Sequence, residues 1–157
     1  MKLKYKDNTT QLKGHVKLEA FKGDTKERAI IPEWGDHTWE KDNLIVTVGK
    51  QMILDRLFGL SSVGAMTRIG VGTSNTAAAV GDTTLTNGEF VAYDSTPTRS
   101  SLVVTAVATF PTGTANITWA ELGMDNGTTL LNHIAPIGPF TKTSAVSIVV
   151  TVTITQS

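Results

Sequence analysis

The chain has 157 residues, 14 acidic and 14 basic side chains, and no cysteine. That length suits one domain with a real core. Zero net charge removes any overall field toward nucleic acid or anionic membrane, and the lack of cysteine rules out disulfides and thiolate zinc sites.

Charge is unevenly placed. Of the 28 charged residues, 17 fall in Met1–Asn43 and 11 in the rest. The later part is rich in Thr, Val, Ala and Gly, the usage of strands and turns. This divides the chain into a charged N-terminal arm, residues 1–42, and a β-sandwich domain, residues 43–157. The opening Met1-Lys2-Leu3-Lys4-Tyr5 has no apolar stretch behind it and is not read as a secretory signal. No apolar run reaches the ~18–20 residues of a membrane span.

In chain order, Leu3 and Tyr5 alternate with lysines, and Val16, Leu18 and Ala20 alternate with Lys17 and Glu19. Both pieces read as short half-buried or edge strands, with lysines that discourage edge pairing. Gly23-Asp24 turns the chain. Trp34 and Trp39 flank Gly35-Asp36-His37. Two large aromatics in a polar loop need a surface to cover, either this chain's own sandwich or another subunit. Tyr5, Trp34, His37 and Trp39 are therefore the candidate partner-contacting residues.

Asn43–Val48 is a compact β run ended by Gly49. The period then changes. Met52, Ile53, Leu57 and Leu60 recur at three-to-four spacing, which predicts a short helix over Lys50–Phe58 closed by Gly59. Arg68–Thr73 is a strand whose Gly70 and Gly72 allow close packing, expected here against that helix. Asn87-Gly88 signals a hairpin turn before a strand at Glu89–Tyr93. Leu102–Phe110 is apolar on both faces and reads as a buried central strand. Pro111–Thr114 then turns the chain so that Asn116–Leu122 pairs back on it. Leu130–Ile134 is a short strand. In the last strand Val146, Ile148, Val150, Val152 and Ile154 share one face. Eight or nine short strands and one helix predict a mainly β fold, an antiparallel sandwich of jelly-roll or Ig-like type.

Residues for chemistry are sparse. Gly70-Val71-Gly72-Thr73 lacks the lysine and helix of a phosphate loop and the third glycine of a dinucleotide fingerprint. His15, His37 and His133 have no metal-ligand spacing among themselves. His37 lies near Glu33, Asp36 and Glu40, a conceivable loop site with no calcium-loop pattern. Asp55, Asp82, Glu89, Asp94 and Glu121 are scattered, with no pairing that suggests a glycosidase dyad. Glu121 reads as a strand-edge residue capping a turn. His133 reads as a surface or core-edge residue. No catalytic residue, cofactor site or metal site is assigned, and a non-enzymatic protein is expected.

Three blocks together resemble the small β-sandwich module of tailed-bacteriophage virion proteins. They are Asn43-Leu44-Ile45-Val46-Thr47-Val48-Gly49, Gly70-Val71-Gly72-Thr73 and Val80-Gly81-Asp82-Thr83-Thr84-Leu85. Trp119–Met124, Leu130–His133 and Pro139–Lys142 fit the same likeness, which covers roughly residues 43–155. The resemblance implies a virion structural protein, made in the host cytoplasm. It implies a capsid decoration (cement) protein on the outer shell, a homo-oligomer, often a trimer, bound to the major capsid protein. The arm is then expected to lie on the capsid or on a neighbouring protomer. A tail component, fibre-associated or baseplate, is the alternative. A carbohydrate-binding sandwich using Trp34 and Trp39 is the third.

Overall fold

The computed structural model describes residues 11–60 and 63–157. The fold is mainly β, as expected, with one short helix and a curled antiparallel sheet. Among the described residues there are eleven strands. In chain order they are β1 (Leu12–Lys22), β2 (Thr38–Ile45), β3 (Arg68–Gly72), β4 (Glu89–Ala92), β5 (Thr98–Ser100) and β6 (Val103–Phe110). Then follow β7 (Thr118–Trp119), β8 (Glu121–Asp125), β9 (Leu130–Ile134), β10 (Phe140–Thr141) and β11 (Val146–Gln156). Helix α1 spans Thr47–Phe58, between β2 and β3.

Nine strands form one sheet in the order β4-β3-β8-β9-β2-β1-β11-β6-β5, and β10 pairs with β7 in a small second sheet. The large sheet bends until its two ends meet. Asp94, just past β4, donates its N–H to the Val107 carbonyl of β6. Its carboxylate accepts from the Thr109 N–H and hydroxyl at 2.8 and 2.7 Å. A sheet curled in this way encloses its apolar face as a sandwich or half-barrel does.

The alternating residues of the outer chain segments line that interior. Val16, Leu18 and Ala20 of β1 are fully buried, as are Ile148 and Val150 of β11 and Ala108 and Phe110 of β6. The expected facing of the last strand holds at Ile148, Val150 and Val152. One end of the interior is plugged by aromatic rings. Phe110 and Trp119 meet edge to face at 4.8 Å, Trp119 and Phe140 lie 5.4 Å apart, and Trp34 adds its ring to Phe140 at 4.7 Å.

Four expectations need correction. Residues 12–42 do not stand apart as an arm edged with short strands. β1 is eleven residues long and lies between β2 and β11, pairing Leu12–Lys22 with Val146–Gln156 throughout. Its apolar alternation is as strict as that of β11, so the two strands zip together despite the lysines on the other face. The 42/43 boundary also runs through the middle of β2.

Second, β6 does not pair with the returning chain. It pairs with β11 and β5, while β8 sits between β3 and β9. The chain after β6 instead drives Trp119 inward, where its indole N–H donates to the Ala115 carbonyl at 2.8 Å. Third, Asn87-Gly88 does not close a tight hairpin. β3 and β4 do pair, but a long segment, residues 73–88, joins them.

Fourth, the glycines of β3 do not receive the helix. A Cβ on Gly70 would lie 2.3 Å from the Phe90 ring, and one on Gly72 2.5 Å from Glu121 Oε1. The helix is seated by Gly49 instead, where a Cβ would lie 2.4 Å from the Leu131 carbonyl oxygen.

Candidate functional site

Two places on the molecule gather features beyond the needs of a sheet. The first is a chain of charged groups beneath segment 73–88. Glu121 opens β8 and is 1% exposed. One of its carboxylate oxygens accepts the backbone N–H of Ser74 at 3.1 Å and of Thr86 at 2.7 Å. The other meets His133 Nε2 at 2.8 Å. His133 Nδ1 meets Asp82 at 2.6 Å, and the same Asp82 oxygen accepts the Ala79 N–H at 2.7 Å. Gly72 makes room for this arrangement, since any side chain there would strike Glu121 and the Thr86 carbonyl.

Each ring nitrogen of His133 faces a carboxylate, so two protons must lie in the two contacts. A neutral imidazole supplies one N–H. The second proton is either a second N–H, giving an imidazolium between two carboxylates, or a carboxyl O–H. The Asp82 carboxyl is held below the usual carboxylate range, chiefly by the Ala79 N–H, with smaller hydrogen-bond and charge contributions from His133. With both nitrogens committed to carboxylates, His133 serves as a tie between strand and loop. It is not aimed at a hydroxyl nucleophile. The hollow above it, about 240 Å³ and lined by Ser74, Thr76, Thr84 and Thr86 among others, is small.

Glu121 does what its sequence position suggested, capping the turns at Ser74 and Thr86. His133 is more buried than expected, at 5% exposure. No spacing rule joins Asp82, Glu121 and His133, because three separate pieces of chain supply them. The one sequence hint is that Asp82, Glu121 and His133 all fall within the blocks quoted above for the resemblance.

The second place is the open end of the curled sheet, opposite the aromatic plug. Along β6 the inward side chains go from buried Phe110, Ala108 and Ala106 to Val104, 37% exposed. Beside Val104 lies Ile154 of β11, its paired neighbour. Helix α1 only partly covers this end. Met52 is buried, but Leu57, Phe58 and Leu60 are 72%, 69% and 72% exposed. Of the expected apolar stripe, Met52 is buried and Ile53 packs on the core, whereas Leu57 is exposed and Leu60 lies past the end of the helix. Gly59 closes the helix in the left-handed conformation at φ 63°, as its sequence predicted. Between α1 and the sheet is an apolar hollow of about 560 Å³.

The candidate contact residues lie elsewhere. Trp34 is half-buried against Phe140, and Trp39 is half-buried in β2 opposite Leu18. Both pack on this chain's core. His37 is half-buried, with Nδ1 2.5 Å from its neighbour Asp36. Tyr5 lies outside the described residues. Among the described residues, no group of three His, Asp or Glu is arranged to hold a metal ion.

Lys142 is 1% exposed, and its ammonium donates to the Pro111 carbonyl and the Asn116 side chain at 2.8 and 2.9 Å. Burial pushes it below the ordinary lysine value. It fastens the Pro111–Asn116 turn over the aromatic plug.

No family model, curated protein or solved structure matches the chain.

Proposed function

We propose that this protein is a non-enzymatic structural component of a tailed-bacteriophage particle, a decoration protein that binds the outer capsid surface and stabilises the shell. The observation that carries the contact role is the open apolar end. Leu57 and Phe58 at the end of α1, and Leu60 just past its glycine cap, are largely exposed, and Leu57 lines the hollow. Isolated exposed leucines are ordinary, but a cluster around a hollow is the usual mark of a surface that another macromolecule covers.

The assignment to a phage particle rests on the sequence blocks. Residues 43–49 carry β2 into α1, residues 70–73 form β3 and its exit, and residues 80–85 bring Asp82 to His133. In this reading the blocks that resemble virion modules are those that seat the helix and tie down segment 73–88. A stiff body with one sticky end suits a cement role, in which buried area is shared across subunits.

Electron cryomicroscopy of particles from the source that encodes the chain tests the proposal. Regular density on the outer capsid lattice is the expected result. Density confined to the tail would assign the protein to the fibre or baseplate instead. Absence from the particle would overturn the structural reading.

A further inference from the structure

We infer that Lys142 and Asn116 join in an amide cross-link within the chain, formed from the lysine amine and the asparagine carboxamide with release of ammonia. The pair lies at the aromatic plug, so the inference uses neither the contact face nor the particle reading.

Position is the first argument. β7 and β10 set Phe140 opposite Trp119 and Thr141 opposite Thr118. The next residue, Lys142, donates its backbone N–H to the Ile117 carbonyl at 3.1 Å. This ladder holds Lys142 beside Asn116. The lysine Nζ meets Asn116 Oδ1 at 2.9 Å and the Pro111 carbonyl at 2.8 Å. The carboxamide is fixed from its other end as well. Asn116 Nδ2 donates to the Thr112 carbonyl at 2.9 Å. Asp24 in turn clasps Thr112, accepting its N–H at 3.1 Å and its hydroxyl at 2.9 Å.

The proton count is the second. Lys142 is 1% exposed, and among the described residues its Nζ has those two oxygens as hydrogen-bond partners. An ammonium carries three N–H groups, so one of them would be buried without an acceptor. A neutral amine carries two. Both oxygens are then filled and a lone pair is left over. Burial favours this neutral form, against the Asp24 and Glu89 carboxylates, which favour the cation. A desolvated, neutral lysine amine is a nucleophile.

The chemistry balances within the pair. Asn116 is exposed, and rotation about its Cβ–Cγ bond turns Cγ toward the amine that its oxygen already touches. Nζ bonds to Cγ, the Cγ–Nδ2 bond breaks, and one proton of Nζ passes to Nδ2, which leaves as ammonia. Nothing is oxidised or reduced, and no other reactant is consumed. Two groups held in contact react as if at an effective molarity of up to about 10⁵–10⁸ M. The reaction happens once per chain, so a slow step suffices. Its product closes residues 116–142 into a covalent loop that locks β7 to β10.

Intact-mass spectrometry of the purified full chain, before and after days of incubation at physiological temperature, tests the inference. The parent is expected to be lighter than its sequence by one ammonia, about 17 Da. Protease digestion is expected to release a branched peptide that joins the Asn116 and Lys142 fragments. Two variants remove one partner each. Asn116→Ala changes an exposed position, and Lys142→Met replaces the amine by an unbranched apolar side chain. Both are expected to keep the full mass of their sequences, with cooperative melting to show that they fold. Should Lys142→Met not fold, Asn116→Ala alone carries the comparison.

A parent that keeps its full mass throughout the incubation would overturn the inference. So would a loss of ammonia that persists in folded Asn116→Ala. A loss that maps to Asn87-Gly88 or Asn126-Gly127, where asparagine before glycine can cyclise on its own backbone, would overturn it too.

Discussion

Removing the Glu121 carboxylate is the sharpest probe of how segment 73–88 is held. In Glu121→Ala three groups lose an acceptor: the Ser74 N–H, the Thr86 N–H and the Nε2 side of His133. Ser74 and Thr86 lie near the surface and can turn to water, so their losses fall at the low end of about 1–3 kcal/mol each. His133 is buried and cannot. The sum is on the order of 3–4 kcal/mol, in line with breaking a buried charged contact from one side. For a domain of this size that corresponds to a fall in Tm of roughly 6–16 °C.

Glu121→Gln separates the charge from the hydrogen bonds. Its carbonyl oxygen can still accept from Ser74 and Thr86. Its amide can donate to His133 Nε2, leaving Nδ1–H to face Asp82, so a neutral imidazole satisfies every contact. The cost is then expected to stay within about 1 kcal/mol. Calorimetric melts of the three proteins, with amide exchange at Ser74 and Thr86, check both statements. Alanine and parent melting within a degree of each other would refute the bracing role. Glutamine as damaging as alanine would refute the proton count.

Deleting residues 1–42 removes β1 from between β2 and β11, together with buried Val16, Leu18 and Ala20. The truncated chain is expected to be insoluble or unfolded, and a cooperative thermal transition in it would show that the sheet closes without β1. Val150→Asp puts a carboxylate where the side chain is fully buried, in register with Leu18 and Ala108. An unpaired charge there is expected to cost about 3–5 kcal/mol, enough to unfold a marginal domain; near-native denaturant stability would refute the assigned facing.

The Asp82 carboxyl has a lower value in the folded chain than in the unfolded one. Its contribution is therefore complete above the unfolded value of about 3.9 and is lost as pH falls through the lower folded value. Asp82→Asn should flatten that acid limb of the stability profile, and an unchanged limb in urea titrations from pH 5 downward would count against the Ala79 and His133 contacts.

Strand content, the helix, its glycine cap and the inward face of β11 were legible in the sequence because they are local. Period, breaker residues and β-branching act within a few positions, and they fix which side of an element is apolar. Pairing was not legible. Whether Lys17 and Glu19 lie on an edge strand or a central one depends on what docks beside β1. Only the return of β11, more than a hundred residues later, makes that strand central.

The same limit applies to the site. Asp82, Glu121 and His133 are ordinary surface-type residues in the sequence, and the pairing of β8 with β9 under segment 73–88 brings them into one hydrogen-bonded line. The helix shows the converse. Its sequence specifies an apolar stripe, but tertiary packing buries that stripe only as far as Met52, because Gly49 fixes where the helix touches the sheet. What remains exposed beyond that contact is the surface from which a role for this protein can be argued.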